Sequence, residues 1–309
     1  MDILRVGTDC SGIEAPIQAL IQMNFPFKHV FSSDIDKYCI ESIKANYEPE
    51  IIFGDKEGIF SEGDITKRNI NDVPDIDLYI CGFPCQPFSM AGERKGFTDK
   101  RGNVFFSCLE LIEKKQPKYF ILENVKGLKT HNKGNTWNTI WDSLSDLQKY
   151  GYIIKWKILN TKDYGIPQNR ERIYIVGCKN KDFEWPKERI MDDLKKYVDY
   201  EDKTIFISKT LDKYKYKLNK IPKDSVFINL SFLKYSNFPT SNIICPCLDT
   251  HAAFYNLNMC RYMNVQENLL LQGFDKNFVK IVADSHLKKQ IGNSMSVNVL
   301  KCIFENILY

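Results

Sequence analysis

The segment between residues 78 and 125 constrains the fold most. Leu78-Tyr79-Ile80-Cys81 is a short apolar run with no polar alternation, the pattern of a strand buried on both faces. Residues 103 to 116 place Val104, Phe105, Cys108, Leu109, Leu111 and Ile112 at helical spacing, and Pro117 stops that helix. Tyr119-Phe120-Ile121-Leu122 then forms a second apolar strand that runs directly into Glu123-Asn124-Val125. Strand, helix, strand closes as a right-handed crossover, so the two strands run parallel and their carboxyl ends share one rim. In open α/β sheets that rim is where ligands bind.

The residues that follow these strands carry chemistry. Gly82 ends the first strand, and Pro84 and Pro87 stiffen the turn, so Cys85 sits on a rigid loop. Two readings apply to Cys85: a thiolate nucleophile, or a structural cysteine in a proline-rich turn. Glu123 on the same crevice favours the first. A thiol facing a carboxylic acid suits covalent attack on an electron-poor ring whose nitrogen must be protonated.

The preceding chain repeats the strand-then-helix plan. A strand at 3–7 leads through a turn containing Gly12 to a helix at 17–23, and a strand at 29–33 ends at Asp34-Ile35-Asp36 before a helix at 37–46. A carboxylate ending the second strand is placed to accept from ribose hydroxyls, which points to Asp34, while Asp36 caps the helix. A third strand covers 51–53. Asp64 is either a ligand contact or a solvated turn aspartate. Residues 89–102 hold Arg94, Lys95, Lys100 and Arg101 among three glycines. They read as a lid over a nucleotide or as a solvated loop. Beyond a helix at 137–150 and a strand at 152–159, Gln168, Arg170 and Arg172 alternate and would project to one side if extended, ahead of a strand at 173–176.

The 309 residues suffice for one large domain or two moderate ones. A formal charge of +4 is too small by itself to indicate nucleic-acid binding. No apolar run approaches a membrane span and the N-terminus has no signal-peptide pattern, so a cytoplasmic location is expected. Ten scattered cysteines fit a reducing compartment. Cys245-Pro246-Cys247 lacks the second Cys or His pair of a zinc site, so no metal is expected. From Lys179 to about residue 242 the chain is rich in Lys, Tyr and Asp with little periodicity. Such a composition can track a nucleic-acid backbone or simply be a solvated surface.

Taken in series, the motifs resemble the C5-cytosine DNA methyltransferase family. They are Gly82-Phe83-Pro84-Cys85-Gln86-Pro87-Phe88-Ser89, then Gly92, Arg94, Gly96, Asp99 and Arg101-Gly102, then Glu123-Asn124-Val125, Gln168-Asn169-Arg170-Glu171-Arg172 and Gln290-Ile291-Gly292-Asn293-Ser294. The resemblance covers residues 1 to about 182 and about 261 to 309. It implies a doubly wound, mostly parallel α/β sheet of the Rossmann-like S-adenosylmethionine-dependent type. Residues 1–182 plus 285–309 would form the catalytic and cofactor domain, and 183–284 a small variable target-recognition domain. The implied reaction moves a methyl group from S-adenosylmethionine to C5 of a flipped cytosine in a specific duplex DNA sequence, through an adduct on Cys85.

The same resemblance assigns residues. Glu123 would hold the ring's N3 and exocyclic amine. Arg170 would point into the catalytic pocket, and Arg172 would be the most structural of the three alternating residues. Cys10, Ser11, Gly12 and Ile13 would form the cofactor loop, Asp34 would take the ribose, and Ile35 would pack on the adenine. Asp64, Ile65, Phe83 and Pro84 would complete the pocket, with Asn293 and Ser294 at the opening of a C-terminal helix. Ser89, Arg94, Arg101 and Gln168 would contact DNA. Three departures stand out: Cys10 where the family usually has Phe, Glu14 and Ala15 where it has glycines, and Leu270 where an Arg is common, in the stretch from Arg261 to Phe274 that resembles the motif bracing the recognition domain. The expected partners are duplex DNA and a cognate restriction endonuclease, with the chain a monomer in a bacterium or in the host of a virus or phage. The alternatives are RNA (transfer-RNA) cytosine-5 methylation and a catalytically inactive DNA-binding relative.

Overall fold

The computed structural model describes residues 3–84, 104–206, 208–214, 216–217, 221, 225–232, 240–241, 243–250 and 253–309. Cys85, Ser89, Arg94 and Arg101 lie outside the described residues, and with them the proposed lid. The chain divides into two compact units. Unit 1 comprises Met1–Leu159, Glu171–Pro186 and Leu300–Tyr309; unit 2 comprises Asn160–Arg170 and Lys187–Val299.

In chain order the strands are β1 (Leu4–Asp9), β2 (Phe27–Ser33), β3 (Ile51–Phe53), β4 (Leu78–Cys81), β5 (Tyr119–Val125), β6 (Tyr152–Asn160), β7 (Gln168–Asn169), β8 (Glu171–Lys179), β9 (Phe227–Asn229), β10 (Thr240–Ser241), β11 (Cys245–Pro246), β12 (Phe254–Asn256) and β13 (Arg261–Tyr262). The α-helices are α1 (Ala15–Gln22), α2 (Lys37–Asn46), α3 (Val104–Lys115), α4 (Asn135–Ser145), α5 (Lys209–Lys213), α6 (Val265–Gln272), α7 (Asp284–Asn293) and α8 (Val297–Ile307).

Unit 1 is built on a seven-stranded sheet in the order β3-β2-β1-β4-β5-β8-β6. Strands β1 to β5 pair in parallel, as the strand-helix-strand reading requires. Their order reverses between β1 and β4, the switch point where such sheets open a crevice. The β4 run is buried at all four positions because both sheet faces are covered. Helix α3 buries Phe105, Cys108, Leu109, Leu111 and Ile112 on one face, the stripe its spacing foretells. It ends where Gln116 turns left-handed (φ 47°) and Pro117 removes the next donor. Phe105, Tyr79, Cys81, Leu122 and Ile173 join one continuous apolar core.

The strand expected at 173–176 is part of β8, the antiparallel member of a mostly parallel sheet. β8 runs antiparallel to β5, pairing Glu123 with Tyr174 and Val125 with Arg172. The amino end of β8 therefore lies at the carboxyl end of β5. Nothing in an apolar run specifies this, since the pattern reads alike both ways.

Unit 2 contains a four-stranded sheet, β10-β9-β12-β13, and a two-stranded parallel pair, β11-β7. Helix α6 starts with a capping box: the Asn264 side chain accepts from Glu267 N and the Glu267 carboxylate accepts from Asn264 N. Glu267 also binds Arg261 bidentately at 2.7 and 2.9 Å, with both residues buried. A second guanidinium contact reaches the Asp199 carbonyl at 2.7 Å, which ties the residues before the small sheet to α6. The segment from Arg261 to Phe274 thus braces unit 2 internally without the Arg replaced by Leu270.

Two further expectations change. Residues 160–170 and 285–299 group with unit 2, and only Leu300–Tyr309 of the C-terminal segment groups with unit 1. The physical reason is Arg170, whose side chain clamps Gly292 and Ser294 within unit 2. Gln290 to Asn293 closes α7 instead of opening α8, which begins at Val297. Among the described residues no helix is long and apolar enough to cross a membrane.

Candidate active site

The carboxyl ends of β1, β2, β3, β4 and β5 form one rim of unit 1. At β5 the strand continues past the apolar run, so Glu123 lies within it and is 7% exposed. Its carboxylate meets Arg172 Nε at 3.4 Å, and Arg172 also donates to the Glu171 carbonyl at 2.9 Å. The adjacent Asn124 amide donates to the Phe83 carbonyl at 2.8 Å and so fastens the segment leaving β4 to the end of β5. Phe83 is buried against Phe105, whereas Pro84 is exposed. The chain enters residue 85 from this fixed point. Cys81, four residues earlier, is fully buried, and burial pushes its thiol well above the usual range. It stays protonated and inert.

The loop after β1 is held from below. Ser11 N donates to the Ser33 carbonyl and Ser33 N donates back to Ser11 Oγ. Gly12 N donates to Asp34 Oδ2 at 2.9 Å, while Asp34 Oδ1 accepts from Asp36 N at 2.8 Å. Burial raises the Asp34 pKa, partly opposed by these two backbone donors. Ile35, the next residue, is 80% exposed, an apolar side chain with nothing of unit 1 over it. Gly12 has φ 57° and a Cβ there would meet no atom within 4 Å, so the outer side of this turn is open. Ile13 is buried beneath it, Cys10 half-buried.

Gly54 and Gly63 close on Asp34 from the other side. A Cβ on either would lie 2.3 or 2.2 Å from the Asp34 carbonyl oxygen. Asp64 is half-buried and engaged locally, accepting from Thr66 N and Oγ1 at 3.0 and 2.7 Å and pairing with Lys67. Against the upward push of burial, those partners hold its carboxyl below the usual range. These are the bonds of a local turn; Ile65 beside it is buried.

The sequence reading missed a buried cluster under the same rim. Asp9 accepts both Arg68 nitrogens at 2.7 and 2.8 Å and the Tyr79 hydroxyl at 2.8 Å. The guanidinium also lies over the Phe31 and Phe53 rings. Asp9 ends a strand, but its partner is 59 residues away and carries no local signal.

Two assignments in unit 2 are corrected. Arg170 is 1% exposed and donates to the carbonyls of Leu248, Gly292 and Ser294 at 2.8, 3.0 and 2.6 Å. It is a clamp on unit 2, and the arginine beside Glu123 is Arg172. Gln168 is fully buried; its amide donates to the Leu271 carbonyl and Gln272, and accepts from Leu248 N. It has no surface to offer DNA. Ser294 is buried with its carbonyl shared by Arg170 and Gln272, whereas Asn293 is exposed at the end of α7.

Comparison with known proteins places the chain in a family. The profile of the family described as C-5 cytosine-specific DNA methylase matches residues 9–309. Type II methyltransferase M1.ScrFI of Lactococcus lactis subsp. cremoris is 38% identical over 296 residues, covering 91% of this chain and 72% of that protein. Type II methyltransferase M.HaeII of Haemophilus aegyptius is 38% identical over 296 residues, covering 90% and 85%. Among solved structures, the S. pombe Dnmt2 methyltransferase superposes with a TM-score of 0.71 at 20% identity over 98% of this chain and 97% of its own, a likeness of fold. This chain belongs to the C-5 cytosine-specific DNA methylase family.

Proposed function

We propose that the protein methylates C5 of a flipped cytosine in a specific duplex DNA sequence, using S-adenosylmethionine, as the modification half of a restriction–modification pair. The observation that carries the reading is the buried Glu123–Arg172 pair at the end of β5, fastened through Asn124 to the segment that leads from β4 into Cys85. The base must leave the stack to reach such a rim. The Cys85 thiolate adds to C6, forming an S–C6 bond and moving the electron pair of the C5–C6 double bond to C5. Glu123 meets N3 and the exocyclic amine, where it stabilises the charge that develops on addition. Arg172 keeps that carboxylate aimed. After methylation, loss of the C5 proton and departure of the thiolate restore the aromatic ring.

Residues of unit 1 fit the cofactor. Asp34 would accept from ribose hydroxyls, the exposed Ile35 would cover the adenine, and the open turn at Gly12 would admit the ligand to the backbone. Asp64, Ile65 and Pro84 remain proposed neighbours on the same rim, and Asn293 the proposed contribution of α7. When bound, the cofactor supplies an electrophilic methyl group on a sulfonium. Unit 2 is the proposed reader of the target sequence, and Ser89, Arg94 and Arg101 the proposed phosphate contacts.

The test is Cys85→Ser. Bisulfite sequencing of DNA from expressing cells should show methylated cytosines in one sequence context with the wild type and none with the variant, while S-adenosylmethionine and DNA binding persist. Full methylation by the variant refutes the nucleophile. Methylation of transfer RNA in place of duplex DNA would transfer the chemistry to the RNA alternative.

A further inference from the structure

The cofactor turn contains a residue that its backbone does not favour. Glu14 has φ 59° and ψ 48°, left-handed values that a glycine would hold without strain. It also begins α1 without capping it through its side chain. That conformation is strained for a residue with a side chain, which implies that the side chain returns something to the fold.

The side chain is completely buried beneath the turn. Glu14 Oε1 accepts from Thr8 Oγ1 and from Ser32 Oγ, each at 2.6 Å. Thr8 Oγ1 lies 2.7 Å from Ser11 Oγ, and Ser32 Oγ lies 3.0 Å from His29 Nε2. A single buried chain of polar contacts therefore runs His29, Ser32, Glu14, Thr8, Ser11. It links β2 to β1 and to the turn that presents Gly12. Such a buried network is costly to break at any one member, although Glu14 Oε2 and His29 Nδ1 have no hydrogen-bond partner among the described residues. Short bonds to a carboxylate are the strong kind. The Ser11–Ser33 and Gly12–Asp34 bonds zip the top of the same turn to the end of β2. Glu14 is the bond from below.

We propose that Glu14 is a positioning residue for cofactor binding: its buried carboxylate locks residues 10–14 onto β2 so that the backbone at Gly12 is preorganised for the ligand. The proposal deepens the S-adenosylmethionine reading and rests on it. It gives the glutamate in this turn a purpose that a glycine cannot serve.

The experiment uses the full chain with Glu14→Gly, Glu14→Gln and Ser32→Ala, measuring S-adenosylmethionine affinity by calorimetry, KM and kcat for each substrate, and the melting temperature. Glu14→Gly relieves the backbone strain and removes the carboxylate. It should raise the KM and Kd for S-adenosylmethionine about tenfold, leaving kcat at saturating cofactor and the KM for DNA near wild type. Glu14→Gln keeps an oxygen able to accept from Thr8 and Ser32 and should recover most of the affinity. Ser32→Ala, which removes one donor to the Glu14 carboxylate and none of the proposed ligand contacts, should raise the same KM by about twofold to fivefold and decides the matter if the first variant fails to fold. Wild-type affinity in Glu14→Gly, or a fall in kcat and in affinity for DNA as large as that for the cofactor, overturns the proposal. A wild-type protein that does not bind S-adenosylmethionine at all overturns the cofactor reading, and the proposal with it.

Discussion

Arg170 and Arg172 stand two residues apart with the same side chain, and their surroundings give them different work. Arg170 satisfies three buried carbonyls of unit 2. Arg172 pairs with Glu123 at the rim of unit 1. Replacing Arg170 by Ala would strip a donor from each carbonyl, at about 1–3 kcal/mol for a buried group left unpaired. Arg170→Ala should therefore melt several degrees lower while the folded fraction keeps its turnover. Arg172→Ala leaves the buried Glu123 carboxylate without this cation, so it should also melt lower, but unlike Arg170→Ala it should lose about a hundredfold or more in kcat in the folded fraction. Differential scanning calorimetry beside a methyl-transfer assay separates the two. The opposite pattern would return Arg170 to the catalytic role that its motif suggests. Alternation along an extended segment had placed both arginines on one side. The chain passes from unit 2 to unit 1 between them, at Glu171, and no shift of composition marks that point.

The elements around Asp34 show a position fixed by backbone crowding. The turns after β3 and before Asp64 both press on its carbonyl, with Gly54 Cα and Gly63 Cα close enough that a Cβ on Gly63 would also sit 3.0 Å from Gly54 Cα. Backbone cannot yield as a flexible side chain can. Gly63→Ala should displace Asp34 and Ile35 together, cost about 1–3 kcal/mol of stability as an overpacked site, and weaken S-adenosylmethionine binding about tenfold by calorimetry. Unchanged affinity would mean that the rim tolerates a shifted Asp34. Sequence periodicity located β4, α3 and α2 to within a residue or two, because each has an apolar pattern with a sharp boundary: Gly82, Pro117, or the Asp36 cap that accepts from Tyr38 N; β5 runs three residues past its apolar run. The sequence also singled out Asp34, directly past the end of β2, and Glu123, directly past the apolar run of β5. It could not supply the direction of β8, the partner of Asp9, or the work of Glu14. Those depend on residues brought together from distant points in the chain, and such contacts leave no local period.

At the scale of the whole molecule, the two units carry separate polar anchors and separate reporters. All four tryptophans, Trp137, Trp141, Trp156 and Trp185, belong to unit 1. Unit 2 depends on the Arg261–Glu267 pair, both buried and bound bidentately. Removing one partner of such a pair leaves an uncompensated buried charge and costs about 3–5 kcal/mol. Compact units with their own cores unfold as units, so Glu267→Ala should open an early transition in far-ultraviolet circular dichroism that tryptophan fluorescence does not see. Acid should reach the same unit through Asp202. Hydrogen bonds from Asn264 and then Thr204, with Arg261 nearby, hold its carboxyl down to about 2 from 3.8. A depressed carboxylate contributes stability in full above the unfolded value and loses it as the pH falls through the folded one. The early transition should therefore move to lower denaturant as the pH drops from about 4 towards 2 in wild type, and less so in Asn264→Ala, where the Asp202 carboxyl loses its first donor. If tryptophan fluorescence and circular dichroism instead shift together in Glu267→Ala, the chain unfolds as one cooperative body and the anchor at Glu267 supports both units.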